Sequence, residues 1–581
     1  MRYNRAMFKL PSRHLCWFSV LLALFSLTLL AGCGLALDRL PLLATPTLPP
    51  TATLPPSPTP LPKGGNLTIR LAEDVPNLRP WQPRSRGEEQ MIGLLYRGLM
   101  RLDAKLQPQP DLARRWDTTP DGRILTFTLR SGLTWHDGKP LTSADVYFTL
   151  NRLRSLPFSS TALLADLRYI AGISAPNPTT IAFSLTERYA PLLAELTLPI
   201  LPRHRLEERD LRTFNFWDAP IGSGPFRFTS RVPGQSVVFS RFDKYHRGAS
   251  LLEKVIFFQV NDEELLHDTL KDGRLLLAEL PWNTSQVISE TLKALRLASY
   301  PENSAYFLAF NLRTGRPFAD LLGRKALAQA LDIPRLVQVV TKGQGIPLGS
   351  SAAPGSWADL TPPPTHTTNL EAAGALLNTA GWPLPPGATI RQREGKPFSA
   401  KLFVRQDDER RMAAAKQIAE AAGSIGLQIT IEAVDFNTGI LPKYAPPYDF
   451  DLLLGNWQNG AGDPNFADYL YYDPDDFLLF HSSQINQGVL DTRNTRNFVA
   501  FNDSEYDKNS LSARQFYEIA QRSHAYQKTQ ARIADLLPYL YLWTDRIPVA
   551  LNKRVTTLDG AVDLSTPNYF WNIERWYLAD Q

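Results

Sequence analysis

Cysteine is nearly absent: Cys16 and Cys33 are the only two in a chain of 581 residues. A disulfide scaffold and a cysteine-rich zinc site are both excluded. The eight histidines (14, 136, 204, 246, 267, 366, 481 and 524) include no pair at helical zinc spacing and no His-Glu-x-x-His, so no metal site is expected. A Gly-x-Ser-x-Gly elbow and a Gly-x4-Gly-Lys phosphate loop are also missing. Gly222-Ser223-Gly224 begins like a dinucleotide loop, but Arg227 stands where the third glycine belongs and Pro225 interrupts the turn, so no cofactor is expected. Charge of one sign is lacking as well. Lys and Arg number 62 against 57 Asp and Glu, and four of the cations (Arg2, Arg5, Lys9, Arg13) precede the first apolar run. The rest of the chain is within one charge of neutrality, which gives no broad phosphate-tracking field and no nucleic-acid partner.

What is present is a large apolar fraction. With 44% hydrophobic residues the chain buries a sizeable core, and its length calls for more than one domain. Residues 1–32 read as an export signal: a basic start, sixteen uncharged residues from Leu15 to Leu30, then small residues up to Cys33. Leu30-Ala31-Gly32-Cys33 resembles the lipobox of bacterial lipoproteins, which implies cleavage before Cys33 and acylation of its thiol. The apolar run falls short of the ~20 residues a bilayer-spanning helix needs. Pro41 to Pro62 is uncharged and rich in proline and threonine, and residues 33–63 are therefore expected to be a spacer. At ~3.1 Å per residue the stretch from Pro41 to Pro62 alone reaches up to roughly 70 Å.

From Gly64 the pattern is that of a mixed α/β body. Leu125 to Leu129 alternates as a half-buried strand does, and Thr142-Ser143-Ala144-Asp145 fits a capping box ahead of a helix carrying Val146, Leu150 and Leu153 on one face. Leu402 to Val404, the alanine-rich Glu409 to Ala422 and Leu427 to Val434 form a βαβ pattern. Glu253 to Val260 and Ala305 to Phe310 read as buried strands. The apolar run Phe450 to Leu454 leads into a polar, glycine-containing segment, Asn456 to Asp463. Ligand sites in such sheets lie beyond strand carboxyl ends, so this segment is either a binding loop or a surface turn. His136-Asp137-Gly138 is expected to be a turn, because adjacent strand residues point to opposite faces and Asp-Gly favours turns. Asp473, Asp475 and Asp476 precede an apolar Phe477-Leu478-Leu479-Phe480 that offers no oxygen ligands for calcium, and are expected to form a solvated acidic loop. No catalytic constellation emerges.

The stretch Leu112-Ala113, Trp116, Asp121-Gly122 and LTFTLRSGLTWHDGKPLTSADV up to Val146 resembles the signature region of the family 5 extracellular solute-binding proteins, the peptide-binding proteins of ABC importers. Pro220 to Phe226 is similar to that family's Gly-Thr-Gly-Pro-Tyr segment, and Tyr245 to Gly248 to its Tyr-Trp-x-Gly. Phe310-Asn311, Pro317-Phe318, Asp320, Arg324-Lys325-Ala326 and Ala330-Leu331-Asp332 resemble the opening of its second lobe, and Asp535 to Pro538 its final Asp-x-x-Pro. The resemblance implies a periplasmic-binding-protein type II fold, two lobes with a hinge and an additional domain inserted in the first. Lobe I would comprise 64–105, 218–300 and 545–581, the inserted domain 106–217 and lobe II 301–544. The hinge would lie near Ser304 to Phe310 and Trp543 to Arg546.

The implied function is that of a monomeric, non-catalytic lipoprotein on the outer face of the cytoplasmic membrane. It would capture an extracellular solute, an oligopeptide first, and deliver it to ABC permease subunits. One departure bears on the ligand. Peptide-binding members carry, three residues past the tryptophan of this segment, an aspartate that pairs with the peptide amine, whereas this chain has Gly460. An unpaired buried ammonium costs on the order of 2–5 kcal/mol. Either another carboxylate such as Asp463 takes over, or the ligand is an oligosaccharide or metal chelate. By the resemblance the ligand-contacting candidates are Trp457, Asn459, Gly460, Asp463, Tyr306 and Asn311. Trp457 is either a pocket wall or a core plug, Tyr306 either a contact or an aromatic plug, and Asn311 either a contact or a strand cap. An extracellular hydrolase and a sensory receptor are the competing classes.

Overall fold

The alternating segment around Leu125 folds as the strand Ile124–Leu129, with Leu125, Phe127 and Leu129 buried. It lies in a four-stranded antiparallel sheet ordered Ala113–Thr118, Ile124–Leu129, Thr180–Leu185, Ile170–Asn177. The helix Ser143–Arg154 starts at the expected cap: the Asp145 carboxylate accepts from the Thr142 N–H at 2.8 Å, and Val146, Leu150 and Leu153 are buried. This is a computed structural model, and it describes residues 64–81, 85–155, 166–359, 367–458, 472–485 and 497–580. The export signal, Cys33 and the spacer lie outside the described residues, as do Asn459, Gly460 and Asp463. No helix among the described residues is long and apolar enough to cross a membrane.

His136-Asp137-Gly138 forms a turn closed by the Trp135 N–H on the Lys139 carbonyl (2.8 Å), with Gly138 at φ +82°. The His136 ring then clamps the Gly222-Ser223-Gly224 segment: Nδ1 accepts from the Gly222 N–H at 3.2 Å and Nε2 donates to the Gly224 carbonyl at 3.1 Å. Burial lowers the His136 pKa to about 4, in keeping with this neutral tautomer. The glycine is needed for proximity. A Cβ on Gly222 would sit 1.9 Å from the Leu95 carbonyl oxygen. The segment serves close backbone packing, not phosphate binding.

A larger sheet has twelve strands. One half is built on Asn66–Leu71, Lys254–Gln259, Ser236–Arg241, Phe226–Val232, Leu277–Glu279 and Leu295–Pro301. The other is built on Ser304–Phe310, Leu452–Gln458, Ser399–Arg405, Gln428–Val434 and the short Gly345–Pro347. The predicted βαβ unit is present, with Ser399–Arg405 parallel to Gln428–Val434 across the helix Glu409–Ser424, whose Asp408 cap accepts from the Arg411 N–H at 3.0 Å.

The two halves share one strand, Tyr539–Asn552. Its start pairs with Ser304–Phe310 (Ala309↔Tyr539, Tyr306↔Trp543), and its end pairs with Leu295–Pro301 (Pro301↔Arg546, Leu295↔Asn552). It is buried from Tyr539 to Thr544 and from Pro548 to Leu551, and more open at Asp545, Arg546, Ile547 and the terminal Asn552. Alternation along these strands feeds two cores. Tyr306, Leu308, Phe310, Leu540 and Leu542 face one, while Ala305, Phe307, Ala309, Tyr539 and Tyr541 face the other.

Candidate functional site

The strand Leu452–Gln458 runs past the apolar stretch and takes Asn456 and Trp457 into the sheet, so both belong to the strand and not to a loop. Gly455 makes room for what packs there. A Cβ on it would meet the Phe307 ring at 2.6 Å, and that ring instead lies across from it, stacked on Tyr539 (4.3 Å, 4°) and Trp457 (5.4 Å, 22°). Tyr444 and Phe498 close the sides of the Trp457 ring at 5.7 and 6.3 Å. Trp457 is thus a core residue, 6% exposed. It is also a wall: it lines a pocket with Asn303, Ala305, Ser351, Tyr541 and Asp476, and its indole Nε1 is buried with no hydrogen-bond partner among the described residues.

Tyr306 sits on the opposite face, since it neighbours Ala305 along the strand. It stacks on Trp543 (4.4 Å, 10°), and its hydroxyl accepts from Arg410 at 3.1 Å while Arg410 also holds the Asp545 carboxylate at 2.8 and 3.0 Å. Burial pushes the Tyr306 hydroxyl up to about 12. The structure therefore does not bring Tyr306 and Trp457 into one pocket. Asn311 is fully buried, its amide donating to the Tyr448 and Phe450 carbonyls at 2.9 and 2.8 Å and its oxygen accepting from the Arg313 N–H at 3.3 Å. That is the work of a strand cap, with no face left for a ligand.

The expectation of a solvated acidic loop is overturned. Asp473 takes a bidentate pair from Arg522 at 2.5 and 2.7 Å, and Asp475 faces Arg514 Nε at 3.0 Å. Asp476 is 4% exposed and has no cation within ion-pair distance among the described residues. It accepts from the Tyr506 hydroxyl at 2.6 Å and from Ser351 at 3.5 Å. Burial pushes its carboxyl up to about 7, against the Tyr506 hydrogen bond and with added repulsion from Asp475. Elsewhere, Glu302, between the strands Leu295–Pro301 and Ser304–Phe310, is also pushed up to about 7 by desolvation. The pocket is thus lined by an indole whose N–H has no partner among the described residues, by hydroxyls, and by the Asp476 carboxyl beside the arginine-paired Asp473 and Asp475. Such groups bind and orient; they present no activated nucleophile. Sequence reasoning missed Ser351, Tyr541 and Asp476 as pocket residues, and the only signal was the shared strand parity of Tyr541 and Tyr539.

Residues 107–477 match the sequence profile described as "Bacterial extracellular solute-binding proteins, family 5 Middle". The chain belongs to this family. Family 5 proteins are solute-binding proteins and not enzymes, so the hydrolase alternative falls. Among curated relatives, the oligopeptide-binding protein AppA of Bacillus subtilis is 26% identical over 495 residues, covering 84% of this chain and 86% of that protein. The structure of AppA in complex with a nonapeptide superposes with a TM-score of 0.63 at 24% identity, covering 89% of this chain and all of that one. Two other solved structures share the fold. The unliganded open form of the murein tripeptide-binding protein MppA gives a TM-score of 0.73 at 21% identity over 90% of this chain and 98% of its own. NikZ of Campylobacter jejuni in complex with Ni(L-His) gives 0.64 at 22% over 89% and 100%.

Proposed function

We propose that this family 5 protein is the lipid-anchored receptor of an ABC importer, capturing an oligopeptide between two lobes and presenting it to a membrane permease. The observation that carries the reading is the family match over residues 107–477, and the pocket at Trp457, with room of about 30 Å³, is a candidate subsite within it. The pocket lies beside Asn303, where the chain passes from one half of the shared sheet to the other, and the indole N–H of its wall residue Trp457 has no hydrogen-bond partner among the described residues. In this reading lobe I is 64–105, 218–300 and 545–581, the inserted domain 106–217 and lobe II 301–544, and the two passages near Ser304 to Phe310 and Trp543 to Arg546 are the hinge. Cys33 is the acylated residue, and the proline-rich spacer holds the body off the membrane.

The ligand assignment is supported by AppA, whose structure holds a nonapeptide, and by MppA, which binds murein tripeptide. Gly460, where peptide binders place an aspartate, favours a second reading in which the guest has no free amine: an oligosaccharide, or a metal chelate of the kind NikZ holds. A thermal-shift screen separates them. A ligand at 100 times its dissociation constant adds about 2.7 kcal/mol of stability. Free-amine peptides are expected to raise the melting temperature, more so after Gly460→Asp. Stabilisation by sugars or chelates alone, with no response to a peptide panel in either form, would overturn the peptide reading.

A further inference from the structure

A short segment of the proposed lobe II, residues 514–517, is embedded in the proposed inserted domain. Tyr517, just past the helix Ser504–Gln515, is 7% exposed and packs in a core whose other buried members all lie between Trp81 and Trp217. Its ring meets Trp116 edge-on at 5.4 Å, the Arg188 guanidinium lies over it at 5.3 Å, and its hydroxyl donates to the Gly122 carbonyl at 2.8 Å. Three residues earlier the backbone joins in: the Arg514 carbonyl accepts from the Ala190 N–H at 2.7 Å.

The buried Arg514 side chain spans the same junction. Toward the inserted domain its Nη2 donates to the Tyr169 hydroxyl at 3.0 Å. Its guanidinium lies 5.3 and 4.9 Å from the rings of Tyr169 and Tyr189, which stack on each other at 4.0 Å and 23°. Toward lobe II its Nε faces the Asp475 carboxylate at 3.0 Å, and its guanidinium lies 4.0 Å from the Phe477 ring. Asp475 in turn lines the Trp457 pocket. A planar guanidinium suits this place, because it pairs with oxygens in its plane and stacks on rings across its faces, which a compact ammonium does not.

We infer that Arg514 is a positioning residue for ligand capture: it clasps the inserted domain to lobe II and ties that clasp, through Asp475, to the wall of the Trp457 pocket. The inference rests on the two-lobe reading and deepens it. Opening the clasp breaks the contacts of residues 514–517 with the inserted domain and leaves the strands on both sides intact.

Hydrogen exchange of the full chain reads the clasp at the Ala190 amide, whose acceptor is Arg514 itself. The references are core amides of the strands Ile124–Leu129 and Ser304–Phe310, one on each side. In the native chain Ala190 is expected to exchange faster than both references, by local opening. Tyr169→Phe, which removes one acceptor of Arg514 and leaves the pocket wall untouched, is expected to quicken Ala190 about two- to tenfold, the span of one hydrogen bond, with the references unmoved. Asp475→Asn, on the pocket side, is expected to quicken it at least as much. No change at Ala190 in either variant, or a change shared equally by the references, would overturn the clasp and leave the two lobes standing. A response to Tyr169→Phe alone would overturn the tie to the pocket. If Ala190 in the native chain exchanges only together with both references, the body is one rigid block, and the two-lobe reading falls along with the clasp.

Discussion

At the scale of the single residue, Trp457 shows that the two roles open to it in the sequence are not exclusive. Its ring is a member of the aromatic stack under Phe307, and its Nε1 edge is a pocket wall. Different substitutions separate the two. Trp457→Ala should lower stability by about 3–5 kcal/mol, the usual cost of emptying a core of a large aromatic, and is a poor probe of binding. Trp457→Phe keeps most of the ring and loses the N–H. It should cost less than about 1.5 kcal/mol and weaken ligand binding several-fold; equal affinity by titration would assign Trp457 to packing alone. The acidic trio was illegible for a different reason. Nothing near Asp473 and Asp475 in the chain marks them as buried, because the arginines that neutralise them, Arg522 and Arg514, arrive from helices later in the sequence. Asp476 adds a pH signature. Its folded pKa of about 7 lies above its unfolded value, so the folded state binds the extra proton and stability falls as pH rises from about 4 through 7. At 1.36 kcal/mol per unit the loss is at most roughly 4 kcal/mol. Asp476→Asn should flatten the decline in a series of urea melts from pH 5 to pH 8, and a decline of unchanged slope would refute the shift.

At the scale of the element, local pattern carried most of what could be known. The alternating strand, the Thr142 to Asp145 box and the βαβ unit depend on residues within a few positions of one another, and all three are present. What the pattern did not carry was purpose at a distance. Gly222-Ser223-Gly224 resembles a ligand loop only until Leu94 and Leu95 are seen pressed against it, a contact between segments more than a hundred residues apart. Gly222→Ala should therefore destabilise by about 1–3 kcal/mol through overpacking. An unchanged melting temperature would mean that the two backbones separate at no cost. The strand Leu452–Gln458 likewise runs beyond its apolar stretch because Ala305 and Tyr306 lie opposite Trp457 and Asn456, partners the local sequence does not reveal.

At the scale of the whole molecule, the family was legible from a long motif, whereas the way the halves are joined depends on pairings across hundreds of residues. Leu295–Pro301 and Ser304–Phe310 are consecutive in the chain, yet each finds its place against a different part of Tyr539–Asn552. Residues 1–62 take no part in that network in the proposed architecture. A chain beginning at Lys63 should keep the melting temperature of the full chain within about 2 °C and the same ligand affinity, a shift of several degrees being the result that would give residues 1–62 a structural role. The common strand has a consequence for biogenesis. A ribosome that has polymerised 538 residues has made neither half of the large sheet whole, because both still await the same fourteen-residue piece. Completion of either half must therefore wait for the last portion to be synthesised.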